Sequence, residues 1–228
     1  MVIRALLFDV YGTLLDVYGL TGALEAVATG QGPALSALWR QKQIDYTRLR
    51  TLSGRHADFA QVTADGLDFA VEKLSVRLSA PQRAALLDAY DVLPAHADAL
   101  PALGALAARG GLLLGVLSNG TPQMLERGLG AAGLAPYLPH RLSIEAAGKY
   151  KTAPEAYQLG PDALGLPTSE IGFVSSNGWD ACCASWFGYR TIWVNRAGEP
   201  AERLGVTPER AVKGLGEVVG WVQSLQGG

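Results

Sequence analysis

An aspartate stands directly behind a short apolar run near the start of the chain, in Phe8-Asp9-Val10-Tyr11-Gly12-Thr13-Leu14. A carboxylate carried by a strand end into a tight glycine turn can serve as a nucleophile. The same placement is common for an aspartate that only caps a helix or a turn. Two more polar clusters follow apolar runs: Ser118-Asn119-Gly120, and Ser175-Ser176-Asn177-Gly178-Trp179-Asp180. Asp9 alone decides nothing, and its weight depends on what else arrives beside it.

The elements that would bring these groups together are legible. Continuous apolar runs at Ile3 to Phe8, Leu112 to Leu117, Ile171 to Val174 and Thr191 to Val194 read as strands buried on both faces. His140 to Ile144 is a further candidate strand. Helical periods at Pro122 to Ala132 and Pro154 to Leu164 carry proline near the start, where its missing N–H costs nothing. Strands alternating with helices imply an α/β fold, a doubly wound parallel sheet whose ligands sit beyond the carboxyl ends of the strands. Asp9, Ser118, Asn119, Ser175 and Asn177 all fall at that edge.

From Asp16 to Leu93 the alternation stops. Apolar residues recur there at helical spacing, as in Leu35, Leu38 and Trp39, then Leu67, Ala70, Val71 and Leu74. This predicts a helical cap domain, 16–93, inserted into a Rossmann-like core of 1–15 and 94–228. No internal repeat or low-complexity tract is visible, and Gly227-Gly228 is expected to fray.

Bulk properties exclude several function classes. The 228 residues are 49% hydrophobic and 18% charged, with a formal net charge of −2, ordinary values for a packed protein acting on small molecules. No run of Lys and Arg appears, so no nucleic-acid partner is expected. The two cysteines, Cys182 and Cys183, are adjacent and poorly placed for a disulfide. Reduced thiols, with no leader-like or membrane-spanning apolar run, point to the cytoplasm.

The segments together resemble the haloacid dehalogenase superfamily. Asp9 to Thr13 is similar to its first motif, Asp-x-x-x-Thr; Leu117-Ser118-Asn119-Gly120 to the second; Lys151 to the third; and Ser175 to Asp180 to the fourth. Within it, the chain looks like the L-2-haloacid dehalogenases, through Trp39-Arg40-Gln41-Lys42-Gln43 and Ser118-Asn119-Gly120-Thr121-Pro122-Gln123-Met124. In the superfamily's phosphatases the residue two after the nucleophile is an acid that protonates the leaving alcohol. Here it is Tyr11, and a halide leaves without a proton. The phosphatases also pair carboxylates in the fourth motif around Mg²⁺, where this chain has Ser176. A hard cation wants several such oxygens, so neither metal nor cofactor is expected.

The resemblance implies hydrolysis of short (S)-2-haloacids to (R)-2-hydroxyacids and halide, by covalent catalysis through an ester on Asp9. It implies Lys151 beside Asp9, Arg40 and Asn119 around the departing halide, and Thr13 fixing Asp9. Asp180, with Lys151, Ser175 and Asn177, would activate the hydrolytic water, while Ser118 binds the substrate carboxylate and Tyr157 supports the site. Tyr11, Gln41, Ile44, Phe59 and Trp179 would line the pocket for the carbon chain. Asp180 as a helix cap and Tyr157 as ordinary helix packing remain open readings. His56, His96 and His140 match no motif, so a triad or zinc site is unsupported. Lys151 precedes Thr152-Ala153-Pro154 rather than the superfamily's usual Pro-Asp or Pro-x-Pro, which leaves the loop's conformation open. The resemblance also implies a homodimer. The alternatives are a phosphatase of the same superfamily and a non-catalytic small-acid binder on the same scaffold.

Overall fold

Ala5, Leu6, Leu7 and Phe8 are fully buried, as an apolar run with no alternation must be when helices cover both sides of a parallel sheet. The computed structural model describes residues 2–226, so Gly227-Gly228 lies outside the described residues. The chain opens with β1 (Ala5–Phe8) and enters four helices, α1 (Thr21–Val27), α2 (Gly32–Ser53), α3 (Phe59–Lys73) and α4 (Ala80–Tyr90). It continues through α5 (Ala99–Ala108), β2 (Leu113–Ser118), α6 (Pro122–Ala131), β3 (His140–Ser143), α7 (Pro154–Leu164) and β4 (Ile171–Ser175). Then come α8 (Gly178–Phe187), β5 (Arg190–Val194), β6 (Arg210–Val212) and α9 (Leu215–Gln226).

Among the described residues the strands form one parallel sheet in the order β3-β2-β1-β4-β5-β6. β1 is flanked by β2 and β4, with Phe8 level with Val116 on one side and Val174 on the other. The strand order therefore reverses beside β1, which makes its carboxyl end the crevice where such sheets hold ligands. The five anticipated strands form with ends shifted by at most two residues. β6 was not anticipated: it is a three-residue edge strand with Arg210 and Ala211 exposed, and leaves no apolar run to read.

Among the described residues no strand forms between β1 and β2, and α2 packs against both α1 and α3. The chain leaves and rejoins the sheet side at a single place. Leu15 pairs antiparallel with Ala95, Asp16 N donates to Pro94 O at 2.8 Å, and His96 N donates to Leu14 O at 2.9 Å.

Candidate active site

Asp9 follows β1 and is fixed from both sides of the crevice. Its backbone N–H donates to Val174 O at 2.9 Å. Its side chain, on a residue 6% exposed, accepts from Thr13 Oγ1 at 2.8 Å and Asn177 Nδ2 at 2.9 Å on Oδ2. Thr13 Oγ1 also accepts from Ser176 N at 2.8 Å, so one hydroxyl joins the loops after β1 and β4. The turn between Asp9 and Thr13 passes through Gly12 at φ +93°, a conformation that L side chains rarely adopt.

Lys151 is buried at 1% exposure and lies between two carboxylates, with Nζ 3.0 Å from Asp9 Oδ1 and 2.9 Å from Asp180 Oδ2. Its backbone is held as well: Lys151 N donates to Asn119 Oδ1 at 3.1 Å, and Ala153 N closes a turn onto Tyr150 O. Thr152-Ala153 thus leaves Lys151 able to reach both acids. Burial alone would push the ammonium down, but Asp180 and Asp9 outweigh it and hold Lys151 above its ordinary value. With one cation serving two carboxylates, burial raises Asp180 above the usual carboxylate range against the pull of Lys151, and the charge of Asp9 adds to the rise.

Asp180 is fully buried in the first turn of α8 and does not cap it: Asn177 occupies the N-cap position. Its remaining oxygen, Oδ1, accepts from Tyr157 Oη at 2.7 Å. Burial, then the charge of Asp180, holds the Tyr157 phenol well above its ordinary value, so Tyr157 is a donor. The hydroxyls at the ends of β2 and β4 brace their own turns, Ser118 Oγ accepting from Gly120 N and Ser175 Oγ from Asn177 N, each at 3.1 Å.

Arg40 reaches the crevice from α2. Nη2 donates to Tyr11 O at 3.1 Å and Asn177 Oδ1 at 3.3 Å, while Nη1 donates to Gln43 Oε1 at 3.3 Å. Arg40 and Asn177 also wall a cleft of about 310 Å³ whose other sides include Gly12, His96, Ser176 and Arg196. Tyr11 joins an aromatic cluster, stacked on Tyr90 at 5.5 Å and tilted against Phe59 at 5.2 Å between ring centres. Gly120 is required here, since a Cβ on it would lie 2.8 Å from Tyr11 Cε2.

The structure therefore brings together Asp9, Thr13, Arg40, Lys151, Tyr157, Asn177 and Asp180, with Asn119, Ser118 and Ser175 supporting the loops. The lining is less uniform. Tyr11 and Phe59 are buried, whereas Ile44 and Trp179 are half-buried, and Arg48 lies over the Trp179 ring at 4.9 Å. Gln41 is exposed. It lies roughly 100° around α2 from Arg40 at ordinary helical pitch, and Gln43 occupies the inward side instead.

A family model described as a haloacid dehalogenase-like hydrolase matches residues 3–188. The chain belongs to that family. Among curated relatives, this haloacid dehalogenase-like hydrolase is 42% identical to an (S)-2-haloacid dehalogenase of Pseudomonas sp. (strain YL), over 99% of this chain and 97% of the relative. Its fold matches the L-2-haloacid dehalogenase RSc1362 with a TM-score of 0.95 and 46% identity, covering 98% of this chain and 100% of that one. It also matches the L-2-haloacid dehalogenase of Xanthobacter autotrophicus with chloropropionic acid covalently bound, at a TM-score of 0.92 and 32% identity, over 98% and 99% of the two chains.

Two residues of this hydrolase's site escaped the sequence reading. Gln43 and Tyr90 are buried and meet through a hydrogen bond of 3.1 Å beside Arg40. A signal for Gln43 existed: Leu35, Trp39, Gln43 and Thr47 recur every four residues, and all four are buried.

Proposed function

We propose that the protein hydrolyses short (S)-2-haloacids to (R)-2-hydroxyacids and halide through an ester on Asp9. The observation that carries this reading is Asp9 itself, with one oxygen open for attack beside a lysine shared with a second buried acid. Asp9 Oδ2 accepts from Thr13 and Asn177, which fills its two lone-pair directions, whereas Oδ1 accepts from Lys151 alone among the described residues. Oδ1 is thus the attacking atom. It bonds to C2 from the side opposite the halogen, the carbon–halogen bond breaks, and the halide keeps the bonding pair.

Arg40, with Asn119, receives the halide, and Ser118 takes the substrate carboxylate. Ser118 Oγ already accepts from Gly120 N, so its own proton is there to donate. In the second step water attacks the Asp9 carbonyl carbon. Asp180 removes the water's proton and returns it to the departing alkoxide, whose oxygen came from Asp9 Oδ1. A carboxylate raised above its usual range is better matched to that task than an ordinary one. Lys151, Ser175 and Asn177 orient the groups around it, and Tyr157 holds Asp180. Tyr11, Gln41, Ile44, Phe59 and Trp179 are proposed to line the carbon-chain pocket, with Gln41 in its exposed outer wall.

Two features favour this chemistry over phosphoryl transfer. Burial, foremost, holds the Tyr11 phenol well above its ordinary value, making it a poor proton donor to an alkoxide. A divalent cation would need the oxygens of Asp9 and Tyr11, yet both already take N–H groups, from Asn177 and, at Tyr11 O, from Arg40. A guanidinium and an amide at that position do not fit a metal ion, so metal-independent turnover is part of the proposal.

The experiment is a single turnover in ¹⁸O water with L-2-chloropropionate and excess enzyme. Unlabelled lactate is the expected product; labelled lactate at the first turnover would mean direct attack by water and would overturn the reading.

The proposal extends to the architecture. The paired crossings at Leu15 and Ala95 support a cap of 16–93 on a core of 1–15 and 94–228. Leu49 and Leu52, 59% and 85% exposed on α2, support a homodimer, to be tested by light scattering. Cys182 and Cys183 are unbridged, consistent with a cytoplasmic protein. No helix among the described residues is long and apolar enough to cross a membrane.

A further inference from the structure

Behind Arg40 a chain of polar side chains runs through α2, α3 and α4, where a helical interface would ordinarily be apolar. Gln43 is fully buried on α2. Its Nε2 donates to Thr63 Oγ1 at 2.7 Å, and Thr63 in turn donates to Phe59 O at 2.6 Å. Gln43 Oε1 accepts from Tyr90 Oη at 3.1 Å and from Arg40 Nη1 at 3.3 Å.

The direction of this chain is forced. The Thr63 hydrogen is spent on Phe59 O, so its oxygen can only receive, which turns the Gln43 amide nitrogen toward Thr63. The carbonyl then faces Arg40, whose guanidinium has donors and no acceptor. An amide oxygen takes two donors; Tyr90 supplies one and Arg40 the other, so the bond that completes Gln43 also holds Arg40. Arg40 also donates to Tyr11 O and Asn177 Oδ1, both on its crevice side at Nη2. On its cap side Gln43 Oε1 accepts from Nη1, with the Tyr90 hydroxyl beside them both.

We infer that Gln43 is a positioning residue: it holds the inner edge of the Arg40 guanidinium so that the outer edge meets the departing halide. This rests on the dehalogenase reading above. An uncharged amide suits the task, because it aims the cation without neutralising it. A carboxylate of the same shape would pair with Arg40 and compete with the halide.

The test uses wild type, Gln43→Glu and Thr63→Val, with halide release from L-2-chloropropionate measured across pH and inhibition by added bromide. For Gln43→Glu, kcat at high pH falls about 100-fold, the scale of a misplaced reacting group, while KM stays near wild type. The ratio of its kcat to that of wild type then climbs as pH falls and the new carboxylate becomes neutral. Its bromide inhibition constant rises about tenfold or more, the worth of a hydrogen bond to a charged group. Thr63→Val frees the amide to turn but adds no titrating group, so it gives a smaller fall in kcat that is the same at every pH together with a weaker rise in the bromide inhibition constant. That rise carries the test if Gln43→Glu does not fold.

Variants whose kcat falls by one factor at every pH, with bromide inhibition unchanged, would make Gln43 a packing residue and overturn the inference. A wild-type enzyme that releases no halide would instead overturn the dehalogenase reading, and this inference with it.

Discussion

Tyr157 and Lys151 each take one oxygen of Asp180, at 2.7 and 2.9 Å, inside a fully buried pocket. Both bonds favour the charged form of Asp180 and oppose the rise that burial imposes. In Tyr157→Phe one of them is gone, so Asp180 rises further. A base must be ionised to act, so the rate falls as pH drops through its folded pKa. The acid limb of kcat should therefore lie above the ordinary carboxylate range in wild type and at still higher pH in Tyr157→Phe, with KM little changed. Superimposable limbs would exclude Asp180 as the base. At this scale the sequence was informative where a motif ties a residue to a strand end, as for Asp9, Ser118 and Asn177. It gave Gln43 and Tyr90 no site role, because a polar residue on a helix is usually read as solvated, and only the three-dimensional meeting of α2, α3 and α4 makes these two partners.

Whole elements were legible where an apolar run or a helical period met a recognisable boundary residue. α7 runs over Pro154–Leu164, as its leading proline and the glycine after it predict; Gly165 takes the left-handed conformation at φ +64°. α5 and α9 pack against each other through buried apolar residues and went unread, because no polar motif marks their ends. The turn after β1 depends on backbone freedom rather than burial. A Cβ at Gly12 would meet nothing closer than 3.8 Å, so Gly12→Ala is penalised by φ alone. The expected loss is about 1–2 kcal/mol, read as a lower midpoint in chemical denaturation with an unchanged slope. Activity should fall as well, since Tyr11 O, one residue away, is where Arg40 and Asn177 converge.

Across the whole molecule, the contacts between the helices of 16–93 and the sheet side include two that flank the crevice. Arg40 forms one. Tyr150, next to Lys151, forms the other: its N–H donates to Thr51 Oγ1 at 3.1 Å and its hydroxyl to Ala57 O at 2.5 Å. His56 Nε2 adds a hydrogen-bond contact with Glu145 Oε2 at 3.0 Å, with both side chains partly exposed. Tyr150→Phe should weaken this seam by about 1 kcal/mol, the net worth of one hydrogen bond. The expected result is faster amide hydrogen exchange over 51–58 with exchange in β1 and β4 unchanged; equal acceleration in the strands would mean that the seam does not open by itself.

The stitch at Leu15 and Ala95 has a consequence of a different kind. Because both passages of the chain go through one narrow doorway, everything between them is a cassette whose ends already touch. Swapping that cassette for one from a relative would leave the strand order and the aspartate behind it untouched, while replacing Arg40 and its buried glutamine together. On the proposed reading, such an exchange changes the Arg40 side of the halide site and leaves Asn119, on the sheet side, in place.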